Sequence, residues 1–308
     1  MGDSGGTLWS MRTKTRQPWW SFLPDDELLQ MRLKDLGVSL DGTWLLGSVT
    51  TLNGELKRKG LVQAHAWISD EWFSPDTTPG IAIPFYLAHP RLARLERKMF
   101  KDVEGGTRRQ CMQILRHEAG HIVQHAYALH RRRKWQDMFG RSSTAYPESY
   151  RPNPNSKNFV QHLPRWYAQS HPDEDFAETF AVWLTPRSNW KQKYAEWPGA
   201  MAKLEYVDTL MSEIAGARSG LTRRLVLTPW AASTRRSPSI THRSWPGTRS
   251  TPTHVTTRTC CASSRTSRAM RIARRHLRSC VTTGSPFANP PGAFRAPTRS
   301  HSTTRSTF

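Results

Sequence analysis

Acidic residues are missing from the last part of this chain. The final one is Glu213, and from 221 to 308 there is no Asp, no Glu and no Lys, while 16 arginines remain. The formal charge of +21 is therefore unevenly spread. Residues 1–220 hold 29 Lys+Arg against 24 acids, a net of +5, and the tail carries the other +16. The high isoelectric point belongs to the tail and says little about what the rest binds. Cysteine is scarce as well. Only Cys111 falls before the tail, which excludes a disulfide framework there. Cys260, Cys261 and Cys280 do not have the spacing of a four-ligand zinc site. No apolar run is long enough to span a bilayer, and no charged-then-apolar leader opens the sequence. These absences lead us to expect a reduced, cytoplasmic protein.

What is present divides into three parts. Residues 1–22 are polar and Gly-rich and read as an extended lead-in. Residues 23–220 mix aromatic, aliphatic and charged residues over a length that can bury a real core. Residues 221–308 are rich in Arg, Ser, Thr and Pro, a composition that buries too little apolar surface to order itself. Such a tail is either a basic arm for nucleic acid or acidic membranes, or the translation of a GC-rich gene in a shifted frame. The abrupt loss of Asp, Glu and Lys favours the frameshift.

Within 23–220 the spacing predicts a short helix in 23–40, opened by Pro24-Asp25-Asp26. Two strands are expected at 61–69 and 80–88, joined by the turn-rich DEWFSPDTTP, with Pro84 putting the second at a sheet edge. A helix over 89–102 has Pro90 in its first turn. The strongest helix is expected from Thr107 to about Gln136, where Met112, Leu115, Ala119, Ile122, Ala126 and Leu129 recur at steps of three and four. Its RRRK end (131–134) would face solvent. After a loop full of breakers (140–157), further helices are expected over 171–184 and 200–216.

The chemistry concentrates in RHEAGHIVQH, residues 116–125. His117 and His121 lie one helical turn apart on one side, a spacing that suits a tetrahedral zinc. Glu118 projects about 100° around the helix from His117. From there it can act as general base on a water held by the metal without ligating the ion itself. His125 is about 12 Å along the axis from His117, too far to share the ion, and is read as structural. A catalytic zinc needs a third protein ligand. Position 127 is Tyr and position 124 is Gln, so no third histidine follows in the elongated pattern. The acidic helix DEDFAETF offers Glu174 and Glu178, one turn apart. One can ligate while the other fixes a ligand histidine by a hydrogen bond. Helix-terminal electrostatics accounts for Asp173, Glu174 and Asp175 but not for Glu178, which lies among Phe176, Ala177, Phe180, Ala181 and Trp183.

HEAGH followed some fifty residues later by EDFAE resembles the gluzincin metallopeptidases, and most closely the zinc-binding metallopeptidase family of bacteria. The likeness runs over most of 20–217, including SDEWFSPDTTPGIAIPFYLAHPRL and WYAQSHPDEDFAE. It implies an α+β, zincin-like domain with a small mixed sheet and an HExxH helix. It also implies a Zn2+ cofactor and a peptide or protein substrate. By this resemblance Glu174 is the third ligand and Glu178 supports His117 or His121. Many gluzincins carry Asp where this chain has Glu178. Tyr167, seven residues before Glu174, takes the position of the oxyanion-stabilising tyrosine of toxin-like gluzincins. Tyr146, Tyr150 and His171 are lesser candidates, and the edge strand 80–88 is a candidate for pairing with an extended peptide. Two rival readings remain: a zinc-stabilised domain without catalysis, and a nucleic-acid-binding protein acting through its tail.

Overall fold

The computed structural model describes residues 17–147 and 149–221. Most of the lead-in and nearly all of the tail lie outside the described residues. The expected helix in 23–40 is cut short. Helix α1 covers Asp25–Gln30, Met31 is extended, and a 3-10 turn at Leu33–Leu36 ends at Gly37 with φ 56°. Leu28 and Leu36 are both buried, and Trp20 Nε1 donates to Leu36 O at 2.8 Å. The bend after α1 lets both leucines enter the same core.

Helix α2, Trp44–Arg58, has no counterpart in the sequence reading. It contains Gly47, Gly54, Thr50 and Thr51, all weak helix formers. Leu45, Val49, Leu52 and Leu56 nevertheless recur at helical spacing and are buried. Tertiary burial overrides local propensity here.

The two expected strands form as β1, His65–Ser69, and β2, Gly80–Pro84. They pair in parallel, His65 opposite Gly80, so the sheet is a two-stranded parallel ladder rather than a mixed sheet. Residues 70–79 therefore cross over, and on the way Phe73 makes an antiparallel bridge to Ala82. That bridge, with Ala82 N donating to Phe73 O at 2.8 Å, occupies the other edge of β2. All five β2 residues are buried. Strand 80–88 is thus shorter than expected, and at Ala82 it is not a free edge for a peptide. Beyond Pro84 the chain enters a 3-10 turn at Phe85–Leu87.

Helix α3, Pro90–Phe100, has Pro90 in its first turn, and His89 Nδ1 accepts from Arg91 N at 3.2 Å as its cap. The central helix α4 runs over Arg108–Ala126, capped by Thr107. It stops ten residues short of the expected end. Ala128 adopts a left-handed φ of 48°, a 3-10 turn follows at Leu129–Arg131, and a separate helix α5 spans Arg133–Phe139. The RRRK run lies at this break, not at the tail of a long helix. Leu129 and Trp135 are fully buried, so the apolar pattern continues although the helix does not.

Helix α6, Pro172–Leu184, is buried at every position from Asp173 onward. Short helix α7, Trp190–Lys193, and helix α8, Pro198–Ile214, complete the described fold. The architecture is helix-rich, with one small sheet. Its centre is the pairing of α4 with α6. A Cβ on Gly120 would lie 2.8 Å from Ala177 Cα, so the glycine inside HEAGH is what lets the two helices touch. Among the described residues no helix is long and apolar enough to cross a membrane.

Candidate metal centre

Close contact of α4 and α6 brings two histidines from one helix against two carboxylates from the other. His117 Nδ1 lies 2.8 Å from Glu178 Oε1. A carboxylate accepts, so Nδ1 donates, and a neutral imidazole then has its lone pair on Nε2. That Nε2 lies 3.0 Å from Glu174 Oε2 and 3.2 Å from His121 Nε2. His121 Nε2 is in turn 3.4 Å from Glu174 Oε2. Three electron-pair donors thus converge on one point, all within 4.8 Å of one another, and the set can hold a metal ion. Two imidazoles and one carboxylate match the donor chemistry of zinc.

Every one of these side chains is fully buried. Burial opposes charge on His117, but hydrogen bonds to Glu174 and Glu178 outweigh it and hold its pKa up at about 10. Burial likewise pushes Glu174 upward, but His121 and His117 overcome it and keep this carboxyl well below the usual range. The pocket therefore demands a positive charge. Without a cation the imidazolium supplies it, and a divalent ion would supply it more strongly.

Glu118 points into the same interior. Both its carboxylate oxygens are buried without a hydrogen-bond partner. Desolvation raises its pKa, partly offset by His121, His117 and the nearby Ser74, whose hydroxyl donates to the backbone O of Glu118 at 3.2 Å. Tyr167 is also buried, its hydroxyl is unpartnered, and its ring centroid lies 5.7 Å from that of His117. Burial first, then the charges of Glu174 and Glu118, push its pKa well above 10, so its proton is retained. Tyr167 reaches this position through a 3-10 segment, Pro164–Gln169, in which Arg165 and Trp166 both have left-handed φ, 68° and 53°. Strain of this kind persists only where the surroundings hold it. Here Tyr150 donates from its hydroxyl to Arg165 O at 3.1 Å, and Leu163 N donates to Glu178 Oε2 at 2.8 Å. Glu178 therefore ties this segment to His117.

The remaining residues singled out from the sequence fall around this set. His125 faces Asp76, with Nε2 3.3 Å from Oδ1, and is outside the converging donors. His171 caps α6, accepting from Asp173 N at 3.1 Å. Tyr146 donates to Glu174 Oε1 at 2.9 Å. Two contributors carry no signal that sequence reasoning used. One is Gly120. The other is Gln124, buried on α4, whose Nε2 donates to Asp173 Oδ1 at 2.8 Å and pins α4 to the start of α6.

Residues 94–208 match the family described as "Putative zinc-binding metallo-peptidase". The likeness covers that segment of the chain. The segment contains both helices of the centre and every side chain of the converging set. No curated protein matches the chain, and no solved structure does.

Proposed function

We propose that this protein is a zinc-dependent peptidase of the gluzincin kind, with His117, His121 and Glu174 as ligands and Glu118 as general base. The observation that carries the reading is the Glu118 carboxylate, buried and unpartnered beside three converging lone pairs. An isolated buried carboxylate is costly, and a chain keeps one where it has work to do. A bound zinc supplies Lewis acidity, which polarises a carbonyl and acidifies water. Glu118 takes the proton of the attacking water and delivers it to the leaving amine. Tyr167, still protonated, donates from its free hydroxyl to the oxygen that becomes negative as the carbonyl is attacked. Glu178 holds the Nδ1 proton of His117, which would leave Nε2 free to hold a zinc ion. The substrate is a peptide or protein, and the place of action is the cytoplasm.

Enclosure favours a second reading. The ligands and Glu118 are all fully buried, as a purely structural zinc would have them. A structural zinc, however, has four protein ligands as a rule, and only three donors converge here among the described residues. That reading also leaves Glu118 and Tyr167 without a role. The test is metal analysis of the purified chain together with cleavage of a peptide library. We expect about one zinc per chain, lost in His117→Ala, and cleavage that stops when the zinc is stripped. Zinc without any cleavage would leave the structural reading standing.

A further inference from the structure

Tyr146 comes from the irregular stretch after α5, where no helix or strand dictates its place. Its hydroxyl nevertheless lies 2.9 Å from Glu174 Oε1, the oxygen turned away from the two histidines. Its ring lies flat on the imidazole of His171, centroids 3.7 Å apart and planes 13° from parallel. His171 is itself clamped. Its Nδ1 accepts from Asp173 N at 3.1 Å, so its Nε2 carries the proton and donates to Thr144 O at 2.8 Å. The cap of α6, the carbonyl two residues before Tyr146 and the stacked pair of rings thus form one rigid unit. A carboxylate oxygen accepts, so at this distance the phenol is the donor.

We infer that Tyr146 is a positioning residue for the metal: by occupying Oε1 it keeps Glu174 a one-oxygen ligand, presenting only Oε2. A carboxylate with both oxygens free can rotate and grip an ion with both, which fills the coordination position a catalytic zinc needs open. A donor fixed on one oxygen removes that option, and hydrogen bonds of this type tune metal affinity by roughly 10–100-fold. The inference rests on the zinc-peptidase reading and extends it to a residue outside both motifs.

The experiment compares Tyr146→Phe and Tyr146→Ala in the full chain. Phenylalanine keeps the stack on His171 and removes only the hydroxyl. Zinc affinity is measured by competition with a chelator, and coordination by the visible spectrum of the cobalt-loaded chain, whose intensity falls as ligands are added. For Tyr146→Phe we expect a paler cobalt spectrum, a zinc affinity changed by roughly 10–100-fold, and an unchanged melting temperature of the metal-free chain. Parent-like affinity and spectrum in Tyr146→Phe would overturn the role. So would a metal-free melting temperature that falls as far as in Tyr146→Ala, since that assigns Tyr146 to packing. A parent chain that binds neither ion would instead overturn the metal reading itself.

Discussion

Glu55 and Asp175 lie nearly as deep in this protein as Glu118 and Glu174, at 4% and 2% exposure against 0%. Glu55 receives both arms of Arg116, at 2.8 and 2.7 Å. Asp175 receives Lys203 Nζ at 2.6 Å, and the same ammonium bonds Asn158 O and covers the ring of Phe159 at 4.1 Å. Among the described residues Glu118 and Glu174 have no lysine or arginine partner; histidines flank both, and Tyr146 donates to Glu174. The contrast is instructive because the neighbouring residues are so alike: Asp175 follows Glu174 directly, and Arg116 stands two places before Glu118. Where a buried acid serves the fold, the chain provides the cation. Where we propose that the cation comes from outside, no such side chain stands beside the acid.

The comparison breaks most visibly at Glu118. Glu118→Gln keeps the shape and loses the base, so zinc content and melting temperature should hold. Hydrolysis should fall by at least the roughly 10²–10⁴-fold typical of a general acid–base group. A variant that cleaves as fast as the parent would remove the distinction between the two kinds of acid.

Lys203→Met tests the other side. Removing one partner of a buried ion pair costs about 3–5 kcal/mol, and this loss should appear whether zinc is present or not. It should also depend on pH. Burial raises the folded pKa of Asp175 from 3.8 to about 7, an effect that Lys203 only partly offsets. A raised acid means the folded chain holds a proton the unfolded chain has released, so stability falls as pH rises from about 4 to about 7. Without Lys203 the folded pKa climbs further, and the fall continues above 7. The deficit relative to the parent should therefore widen above pH 7, by up to about 1.4 kcal/mol per pH unit. Urea unfolding at a slightly acid and a slightly alkaline pH measures it. Equal deficits at both would show that the ammonium does not offset a charge on Asp175.

A smaller effect is expected at Glu178, which touches His117 from the side away from the donors. Glu178→Gln should retain zinc with affinity weakened roughly 10–100-fold, read by chelator competition. Complete loss of zinc would make Glu178 a ligand and reverse the roles of the two glutamates. The smallest effect belongs to His125→Ala. His125 pairs with Asp76 on the far part of α4, so zinc content should be unchanged by metal analysis.

Parts of this picture were legible from the chain alone because they depend on neighbours a few residues apart. Pro90 and Pro172 mark the starts of α3 and α6, and helical spacing places α8. Other parts were not. The helix expected over 107–136 breaks after Ala126, since one buried stripe serves two helices as well as one. Thr50, Thr51 and two glycines concealed α2, whose formation rests on the face it buries. The crossover at 70–79 reads in the sequence as a plain turn-rich connection, because turn-forming residues do not tell whether the strands they join run parallel.

Sequence by itself determined that two histidines stand one turn apart on a helix, with a glutamate beside the first, because 3.6 residues per turn fixes that from spacing alone. It also determined that a second helix carries two carboxylates at the same interval. Which carboxylate turns an oxygen to both Nε2 atoms, and which takes Nδ1 of His117, was decided only by how α6 lies against α4. That packing turns on Gly120, whose missing side chain admits Ala177. The place of Tyr146, 28 residues before Glu174, was decided by the tertiary structure too. Contacts between residues so far apart in the chain follow from the closed shape of the molecule, which no local periodicity encodes.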